Sequence, residues 1–306
     1  MRSKRMRFFL VTGLIPALAL GCGRFQSRRA YDEGRAALDR MDYNKAIVAF
    51  SEAIDHEPDS ASLYNNRAYA YFMKKDYESA LRDDTKAIEL KPNDYDHYCT
   101  RGITYVRLQD YVNAEKDFNK AIALRPDAAK AYEHRGNCYD WWSKYDQALA
   151  DYSEAIKLEP RSAEAYRGRA SATRHKGLHA EALKDYNEAI FLNPKLADAY
   201  DGRGWTYEHL KQYDEALKDF AEAIHLDPAL GNAYHGKGVA LHKKGLHGEA
   251  LQALNKAIEL DPKTANIYHW RAAVHARLGH AAEAEADRRK QVELEMAIPL
   301  LKMPRR

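Results

Sequence analysis

The chain has 306 residues, of which 45% are hydrophobic and 30% are charged, and its mean hydropathy is −0.68. Its net charge is +3, but Arg2, Lys4, Arg5 and Arg7 lie at its very start, and without them the net charge is about −1. The rest of the chain therefore lacks the basic excess by which nucleic-acid-binding proteins are recognised, and we expect no nucleic-acid partner.

Residues 1–22 have the pattern of an export signal. A basic head precedes an apolar run that is shorter than the roughly 20 residues of a membrane-spanning helix and suits a signal-peptide core. The end of this run resembles the lipobox of bacterial lipoproteins, in which a cysteine, here Cys22, becomes the acylated first residue. Ala19 and Leu20 are exchanged relative to the preferred order. Ordinary cleavage near Cys22 and an uncleaved anchor remain alternatives.

The lipobox resemblance also implies a location. A lipid on Cys22 would hold the exported protein in the cell envelope, at the periplasmic face of a membrane. Gly23 follows the cysteine and lacks the aspartate associated with inner-membrane retention. We therefore expect a lipoprotein of the outer membrane.

Prolines divide the following sequence at a constant interval of 34 residues. Proline lacks a backbone N–H and clashes with the preceding helical turn, so it stops a helix. A helix stop at a fixed interval indicates one supersecondary unit that is copied and stacked. The prolines are Pro58, Pro92, Pro126, Pro160, Pro194, Pro228 and Pro262.

With each proline placed at position 32, eight repeats begin at residues 27, 61, 95, 129, 163, 197, 231 and 265. Position 20 is alanine in all eight repeats, position 27 is alanine in seven, and position 4 is tyrosine in seven. Position 8 is glycine or alanine, and position 24 is a large residue in most repeats, such as Phe50, Phe118 and Phe220. Small and large residues at helical spacing predict two amphipathic antiparallel helices in each repeat.

This pattern resembles the tetratricopeptide repeat, whose units place aromatic, small, tyrosine, alanine and proline residues at the same spacing. Residues 199–207 (AYDGRGWTY), followed by Tyr213, Ala216 and Pro228, form a near-complete unit. The resemblance covers about residues 27–294. It implies an all-α fold, a right-handed superhelical solenoid of eight 34-residue helix–turn–helix units, and a surface that binds other proteins.

Two repeats depart from the pattern. Repeat 2 has Asp84 at position 24, which is normally apolar. Repeat 8 has Arg288 there and Met296 in place of the proline, so we expect its second helix, Glu283 to about Glu295, to cap the array toward solvent. The expected organisation is a signal peptide (1–22), a linker (23–26), the array (27–294, with repeats 27–60, 61–94, 95–128, 129–162, 163–196, 197–230, 231–264 and 265–298) and a flexible tail (297–306).

No catalytic signature is present in the sequence, which contains no HExxH, Walker-type glycine loop, GxSxG or CxxC motif. We expect a non-enzymatic protein without a cofactor or metal. Cys99 and Cys138 are expected to be independent thiols, and a disulfide between them is the alternative. His179 and His247 occupy position 17, where other repeats have tyrosine, so we interpret them as structural substitutes. Metal binding by the histidines is a lesser alternative, because no carboxylate or thiolate accompanies them at a defined spacing.

The face lined by the first helix of each repeat is the better candidate site. In tetratricopeptide-repeat proteins it forms a concave groove lined by positions 2, 5, 6, 9, 12 and 13, and here it is rich in aromatic and amide side chains, which are typical interface anchors. The alternative is that Phe72, Trp141 and Trp205 partly pack on the adjacent repeat. The predicted groove residues are Asn65, Asn66, Tyr69, Phe72, Asn137, Trp141, Arg174, Trp205, His209, His235, His242 and Trp270.

One specific form of the groove is excluded by the sequence. Residues 62–69 resemble the middle unit of domains that clamp the C-terminal carboxylate of chaperones. That clamp needs Lys and Asn in the preceding unit and Lys and Arg in the following one, but Tyr31, Arg35, Asp96 and Thr100 stand at those positions. We expect a membrane-tethered scaffold for a peptide or protein partner, serving envelope assembly, secretion or an adaptor role. A self-assembling structural protein is the alternative, which the polar last helix disfavours.

Overall fold

The computed structural model describes the backbone of residues 15–301 and the side chains of residues 24–297. Within this range it contains sixteen α-helices and no strand. The helices are α1 (Ile15–Asp39), α2 (Tyr43–His56), α3 (Ala61–Met73), α4 (Tyr77–Leu90), α5 (Tyr95–Arg107), α6 (Tyr111–Leu124), α7 (Ala129–Trp141), α8 (Tyr145–Leu158), α9 (Ala163–His175), α10 (His179–Leu192), α11 (Ala197–His209), α12 (Tyr213–Leu226), α13 (Gly231–Lys243), α14 (His247–Leu260), α15 (Ala265–Leu278) and α16 (Ala281–Leu301).

The chain divides into two compact halves, residues 1–142 and 143–306, which are described separately. In each half the odd-numbered helices are first helices of repeats and the even-numbered helices are second helices. First and second helices of a repeat pack together, as in α3–α4 and α11–α12, and each second helix packs on the next first helix, as in α4–α5 and α12–α13. The all-α solenoid of paired helices that the proline spacing predicts is confirmed.

The turn inside each repeat is made by one residue in the left-handed conformation. Position 15 has a positive φ throughout, and it is glycine in only three repeats, with Gly245 at 83° as an example. In repeats 1–3 an aspartate directly before the second helix also accepts a hydrogen bond from the helix backbone; Asp76, for instance, accepts from the N–H of Ser79 at 3.1 Å. These local features reverse the chain, so that the two helices of a repeat run antiparallel.

The core of five of the eight repeats is an aromatic ring at position 24, held between small residues. The alanines at positions 20 and 27 are buried, as Ala114 and Ala121 show, and the ring at position 24 lies between them. The glycine at position 8 allows the ring to approach, because a Cβ on Gly102 would lie 2.7 Å from Phe118. Close helix packing therefore depends on the pairing of a small residue with a ring.

An arginine–aspartate ion pair fastens the two helices in most repeats. The guanidinium at position 7 forms two hydrogen bonds with the carboxylate at position 23, with donor–acceptor distances of 2.7 and 2.8 Å for Arg203 and Asp219. Its remaining nitrogen reaches position 25 of the preceding repeat, as from Arg203 to Asn187 at 2.6 Å. The pairs are Arg67–Asp83, Arg101–Asp117, Arg169–Asp185, Arg203–Asp219 and Arg271–Asp287.

Repeat 7 replaces all three members of this arrangement. Lys237 stands at position 7 and Ala253 at position 23, and position 25 of the preceding repeat is Ala221. The junction between α12 and α13 therefore lacks the arginine link found at equivalent junctions, and it is held by packing of the Phe220 ring against Gly236 and by an ion pair between Lys244 and Asp214.

The two ends of the array differ from the simple repeat rule. α1 begins at Ile15, so residues 23–26, which the sequence suggests as a linker, lie inside this helix. α16 continues to Leu301, beyond the expected end of the cap, and Asp287 ties it to Arg271 of α15. The head of the signal segment (1–14), the Cys22 side chain and the last residues of the tail (302–306) lie outside the described residues. Within the described part of the chain, no helix is both long and apolar enough to cross a membrane.

Candidate binding surface

The first helices form the inner layer of each half. In the N-terminal half α3 contacts α5 and α5 contacts α7, and in the C-terminal half α9, α11, α13 and α15 contact one another in succession. Second helices, in contrast, lie between successive first helices on the other side. All twelve predicted groove residues are on first helices and thus belong to the inner layer.

The predicted groove residues differ widely in exposure. Trp141 and Tyr69 are open to solvent, with exposed fractions of 67% and 52%, and His209 is also exposed. His235 is buried, with an exposed fraction of 4%. The other predicted residues are half-buried, namely Asn65, Asn66, Phe72, Asn137, Arg174, Trp205, His242 and Trp270.

Position 5 faces the neighbouring first helix more than it faces solvent. Cys99, Glu133, Asp201 and His235 all occupy this position, and all four are buried. Contacts between successive first helices cover these four side chains, whereas position 13 is exposed in every repeat and His269, at position 5 of repeat 8, is also exposed. His235 therefore contributes to the packing under the surface and does not present its ring to solvent.

Four predicted residues of the N-terminal half line one cavity of 490 Å³. Asn65, Asn66, Tyr69 and Phe72 form its α3 side. Its other walls come from α1 and α5, and its floor is the Asp84 side chain of α4. The complete lining is Arg35, Leu38, Asp39, Asn65, Asn66, Ala68, Tyr69, Phe72, Asp84, Thr100, Ile103 and Thr104. A cavity of this size can hold a side chain of a bound polypeptide.

Asp84 is the unusual group in this cavity. It occupies position 24, where neighbouring repeats have a phenylalanine, and its exposed fraction is 2%. One carboxylate oxygen accepts a hydrogen bond from the Thr104 hydroxyl at 2.9 Å. Burial raises the pKa of Asp84 to about 7, and the hydroxyl of Thr104 opposes this shift only in part. A buried carboxyl that can change its charge near neutral pH therefore lies beneath an open aromatic surface.

Aromatic side chains on the inner layer are not all equally free. The Phe72 ring contacts the Tyr77 ring edge-on at 5.4 Å, and the Trp205 ring contacts Phe220 at 5.6 Å and His235 at 5.1 Å. The contact of Trp205 with His235 is packing on the adjacent repeat, whereas the contact of Phe72 with Tyr77 lies within repeat 2. Trp141 keeps most of its surface exposed.

The C-terminal half contains buried polar atoms under the same layer. Asp201 accepts a hydrogen bond from the Asn232 amide at 2.6 Å with one oxygen, while its other oxygen, Trp205 Nε1 and His235 Nε2 are buried without a hydrogen-bond partner. Burial raises the pKa of Asp201 to about 7 and lowers the pKa of His235 to about 4. Both side chains are therefore driven toward their neutral forms by the loss of solvent.

The histidines pack mainly against other rings. His179 and His247 begin α10 and α14, as the tyrosines at position 17 begin other second helices, and they contact His209 at 4.8 Å and His242 at 5.0 Å. Tyr145 contacts a ring of the next repeat in the same way. Among the described residues, no three His, Cys, Asp or Glu side chains gather as metal ligands. Cys99 and Cys138 are both buried, and the Cys138 thiol donates to the backbone carbonyl of Tyr111 at 3.8 Å.

Sequence patterns could have revealed two features that the predicted groove omits. The carboxyl–hydroxyl pair Asp84–Thr104 joins a departure from the repeat pattern at position 24 to a hydroxyl residue in the next repeat, and both residues are visible in the sequence. The ion pairs of the array recur at a constant separation of sixteen residues, as in Arg203 and Asp219. The burial of Asp201, in contrast, depends on the approach of α13, which no local pattern specifies.

Comparison with known families agrees with the repeat geometry. Models described as tetratricopeptide repeat match residues 31–95, 96–128, 129–162 and 197–230, and a model described as TPR repeat matches residues 247–279. Together these matches cover more than half of the chain. The chain carries tetratricopeptide repeats. The comparison of this tetratricopeptide-repeat (TPR) chain with curated proteins gives no match.

Solved structures resemble the TPR array at low sequence identity. A tetratricopeptide repeat protein from Parabacteroides merdae is 19% identical, with a TM-score of 0.68 over 81% of this chain and 98% of that chain. The APC/C hetero-tetramer Cut9–Hcn1 contains a chain that is 16% identical, with a TM-score of 0.71 over 95% of this chain and 56% of that chain. Yeast Tom70 is 23% identical, with a TM-score of 0.60 over 85% of this chain and 59% of that chain. These likenesses concern the fold.

Proposed function

We propose that this TPR protein is a non-enzymatic scaffold that binds a peptide segment or protein partner on its layer of first helices. The observation that carries the proposal is the 490 Å³ cavity in this layer, which Tyr69 and three other predicted residues line. Exposed aromatic side chains beside a cavity are typical anchors of protein interfaces, because burying them on binding removes a large apolar area from water. The TPR fold itself supports a role in protein–protein interaction.

We further propose that a lipid on Cys22 tethers the array to the envelope membrane, where it serves assembly, secretion or an adaptor role. The basic head, the short apolar run and the cysteine at its end support this proposal. Exchange of Cys22→Ser should move the protein from the membrane fraction to the soluble fraction. Persistence of the variant in the membrane fraction would exclude a lipid on Cys22 as the anchor.

The partner-binding role is tested by affinity capture from envelope extract with two variants of residues 23–306. The first combines Tyr69→Ala and Trp141→Ala, two open side chains of the inner layer. The matched control combines Val48→Ala and Val112→Ala, which remove exposed apolar side chains from the second helices α2 and α6. We expect the first variant to lose at least about tenfold of the captured partner and the control to retain it. Equal capture by both variants would place the binding surface elsewhere.

A further inference from the structure

The cavity in the N-terminal half occupies the space of a missing aromatic ring. Position 24 of repeats 1 and 3 holds Phe50 and Phe118, which are fully buried. In repeat 2 the shorter Asp84 takes this place, and its neighbours Ala68 and Thr100 are too small to fill the remaining space. The helices have not closed over the gap, and the 490 Å³ cavity remains.

Among the described residues, the Asp84 carboxyl on the floor of this cavity forms no ion pair. The Asp84 carboxylate receives a hydrogen bond from a neutral hydroxyl, that of Thr104. Arg101, whose charge favours the ionised form of Asp84, is already engaged in two hydrogen bonds with Asp117 at 2.7 and 2.8 Å. A buried carboxylate without a cationic partner is unfavourable, and a ligand that supplied the cation would relieve this cost.

The walls suit an apolar stem that ends in a charge. Leu38, Ile103 and Ala68 offer aliphatic surface, and the open Tyr69 ring stands on the α3 side. The Phe72 ring beside it already faces the Arg107 guanidinium, 5.8 Å from its centre. Methylene groups of long basic side chains pack on such surfaces, and their cationic ends are attracted to aromatic faces. Arg35 and Asp39 of α1, at the rim, carry opposite charges that offset each other. The net charge of the cavity lining is therefore set by Asp84.

We propose that this cavity, which we name the Asp84 pocket, binds a lysine or arginine side chain of the partner polypeptide, with its cation paired to the Asp84 carboxylate. The identity of the occupant as part of a bound partner rests on the proposed function. The affinity of the pocket for an alkyl cation does not, because it depends only on the groups described above.

A small probe tests the pocket without knowledge of the partner. Butylammonium reproduces the end of a lysine side chain, and 1-butanol is its neutral counterpart of similar size. Methyl NMR signals of Ile103 and Thr104, which line the pocket, report on binding to the purified protein, and Thr206, the equivalent of Thr104 in repeat 6, serves as an internal control. We expect butylammonium to shift the pocket signals with a dissociation constant at least about tenfold lower than that of 1-butanol.

Two variants and one control separate charge from shape. Asp84→Asn keeps the size of the side chain and should abolish the preference for the cation. Asp84→Leu places at position 24 the residue that repeat 7 has there and should prevent binding of both probes. Glu89→Gln removes an exposed carboxylate from the same helix and should leave the preference unchanged. Circular dichroism and thermal melting verify the fold of each variant.

The outcomes are distinct from those of the capture experiment. Equal affinity for the two probes, a preference that survives Asp84→Asn, or the absence of any shift at Ile103 and Thr104 would overturn the proposal. If butylammonium fails to bind while Tyr69→Ala/Trp141→Ala still abolishes capture, the pocket is wrong and the scaffold function stands. If butylammonium binds as expected while capture is unaffected, the affinity of the pocket for an alkyl cation is supported. The proposed binding surface, and with it the partner side chain as occupant, is then wrong.

Discussion

At the scale of single residues, two buried carboxyl groups depart from the apolar interior of the array. Asp84 replaces a core ring in repeat 2, and Asp201 lies between first helices in repeat 6. Each accepts one strong hydrogen bond, from Thr104 and from Asn232 respectively. Burial raises the pKa of both to about 7, which means that the fold binds their protons more tightly than the unfolded chain does.

This shift predicts that Asp84 makes the protein less stable as the pH rises. Between the ordinary carboxyl pKa of 3.8 and the raised value of about 7, the folded state keeps a proton that the unfolded state has lost. Stability is therefore highest below this range and falls as the pH rises through it. Besides burial, Asp83 favours the proton on Asp84, whereas the hydroxyls of Thr104 and Thr100 and the charge of Arg101 oppose it. Arg35 and Asp39, which also line the cavity, carry opposite charges.

Asp84→Leu should remove the loss of stability that accompanies ionisation of Asp84, and it should add apolar packing. We expect the variant to exceed the wild type in unfolding free energy by about 2 kcal/mol at about pH 8, and by clearly less at about pH 5. Urea denaturation at the two pH values gives the difference in unfolding free energy between variant and wild type. Contributions from the histidines are the same in both proteins and cancel in this difference. A difference that did not change with pH would mean that Asp84 titrates normally in the folded protein.

At the scale of elements, the ion pairs explain why helix pairs of such similar sequence hold a fixed register. Each position-7 arginine binds its own second helix and the preceding one, so three helices meet at a single side chain, as at Arg203. The same guanidinium lies 5.6 Å from the ring centre of Tyr200, which gives the recurring tyrosine at position 4 a role in holding it. The alternation of small and large residues predicts which helix faces pack together. The arginine–aspartate links fix how the helices align along these faces.

Removal of one such arginine should destabilise the array strongly. Arg203→Ala leaves Asp219, whose exposed fraction is 6%, as a buried charge without a partner, and we expect a loss of about 3 kcal/mol. Combining Arg203→Lys with Asp219→Ala and Asn187→Ala installs in repeat 6 the residues that repeat 7 uses. Since no buried charge remains, this triple variant should lose only about 1 kcal/mol. Denaturant unfolding compares the two. A triple variant as unstable as Arg203→Ala would show that packing and not charge burial sets the cost.

At the scale of the whole molecule, the sequence predicts the arrangement of helices in detail because proline and alanine positions repeat without slippage. The predicted repeat starts at residues 61, 95, 129, 163, 197, 231 and 265 coincide with the first residues of α3 and of the odd-numbered helices α5 to α15. The ends are less predictable, since α1 and α16 have a neighbour on one side only and extend past the repeat boundaries.

The inner layer is harder to predict because exposure there depends on contacts between helices that are distant in sequence. Position alone assigns His235 to the open face, yet the approach of α11 and α15 buries it. The repeat position likewise identifies Asp84 as an unusual residue at a normally apolar site. It does not show whether the neighbouring side chains close around Asp84 or leave a cavity. Trp141, at the end of the first helix α7, has an exposed fraction of 67%, and its role in partner binding stays a prediction.

The replaced link at repeat 7 sets the order in which the C-terminal half should come apart. The α12–α13 junction has Ala221 and Lys237 where other junctions have the arginine hydrogen bond, while Asn232 still donates to Asp201 and Lys244 still pairs with Asp214 across it. We expect the loss of the arginine link to make this junction the weaker seam in a chain of nearest-neighbour contacts. Repeats 7 and 8 should then open together, in a fluctuation that leaves residues 143–230 folded.

Amide hydrogen exchange should show this opening as an abrupt fall in amide protection between α12 and α13. Protection of α13 and α14 should match that of α15 and should be about tenfold lower than that of α11 and α12. Restoring the link with Ala221→Asn, Lys237→Arg and Ala253→Asp should move the step to the junction between α14 and α15. A protection step already at that junction in the wild type would contradict the seam. Repeats 7 and 8 would thus behave as a detachable pair that opens and closes while the remaining helices of the half stay in place.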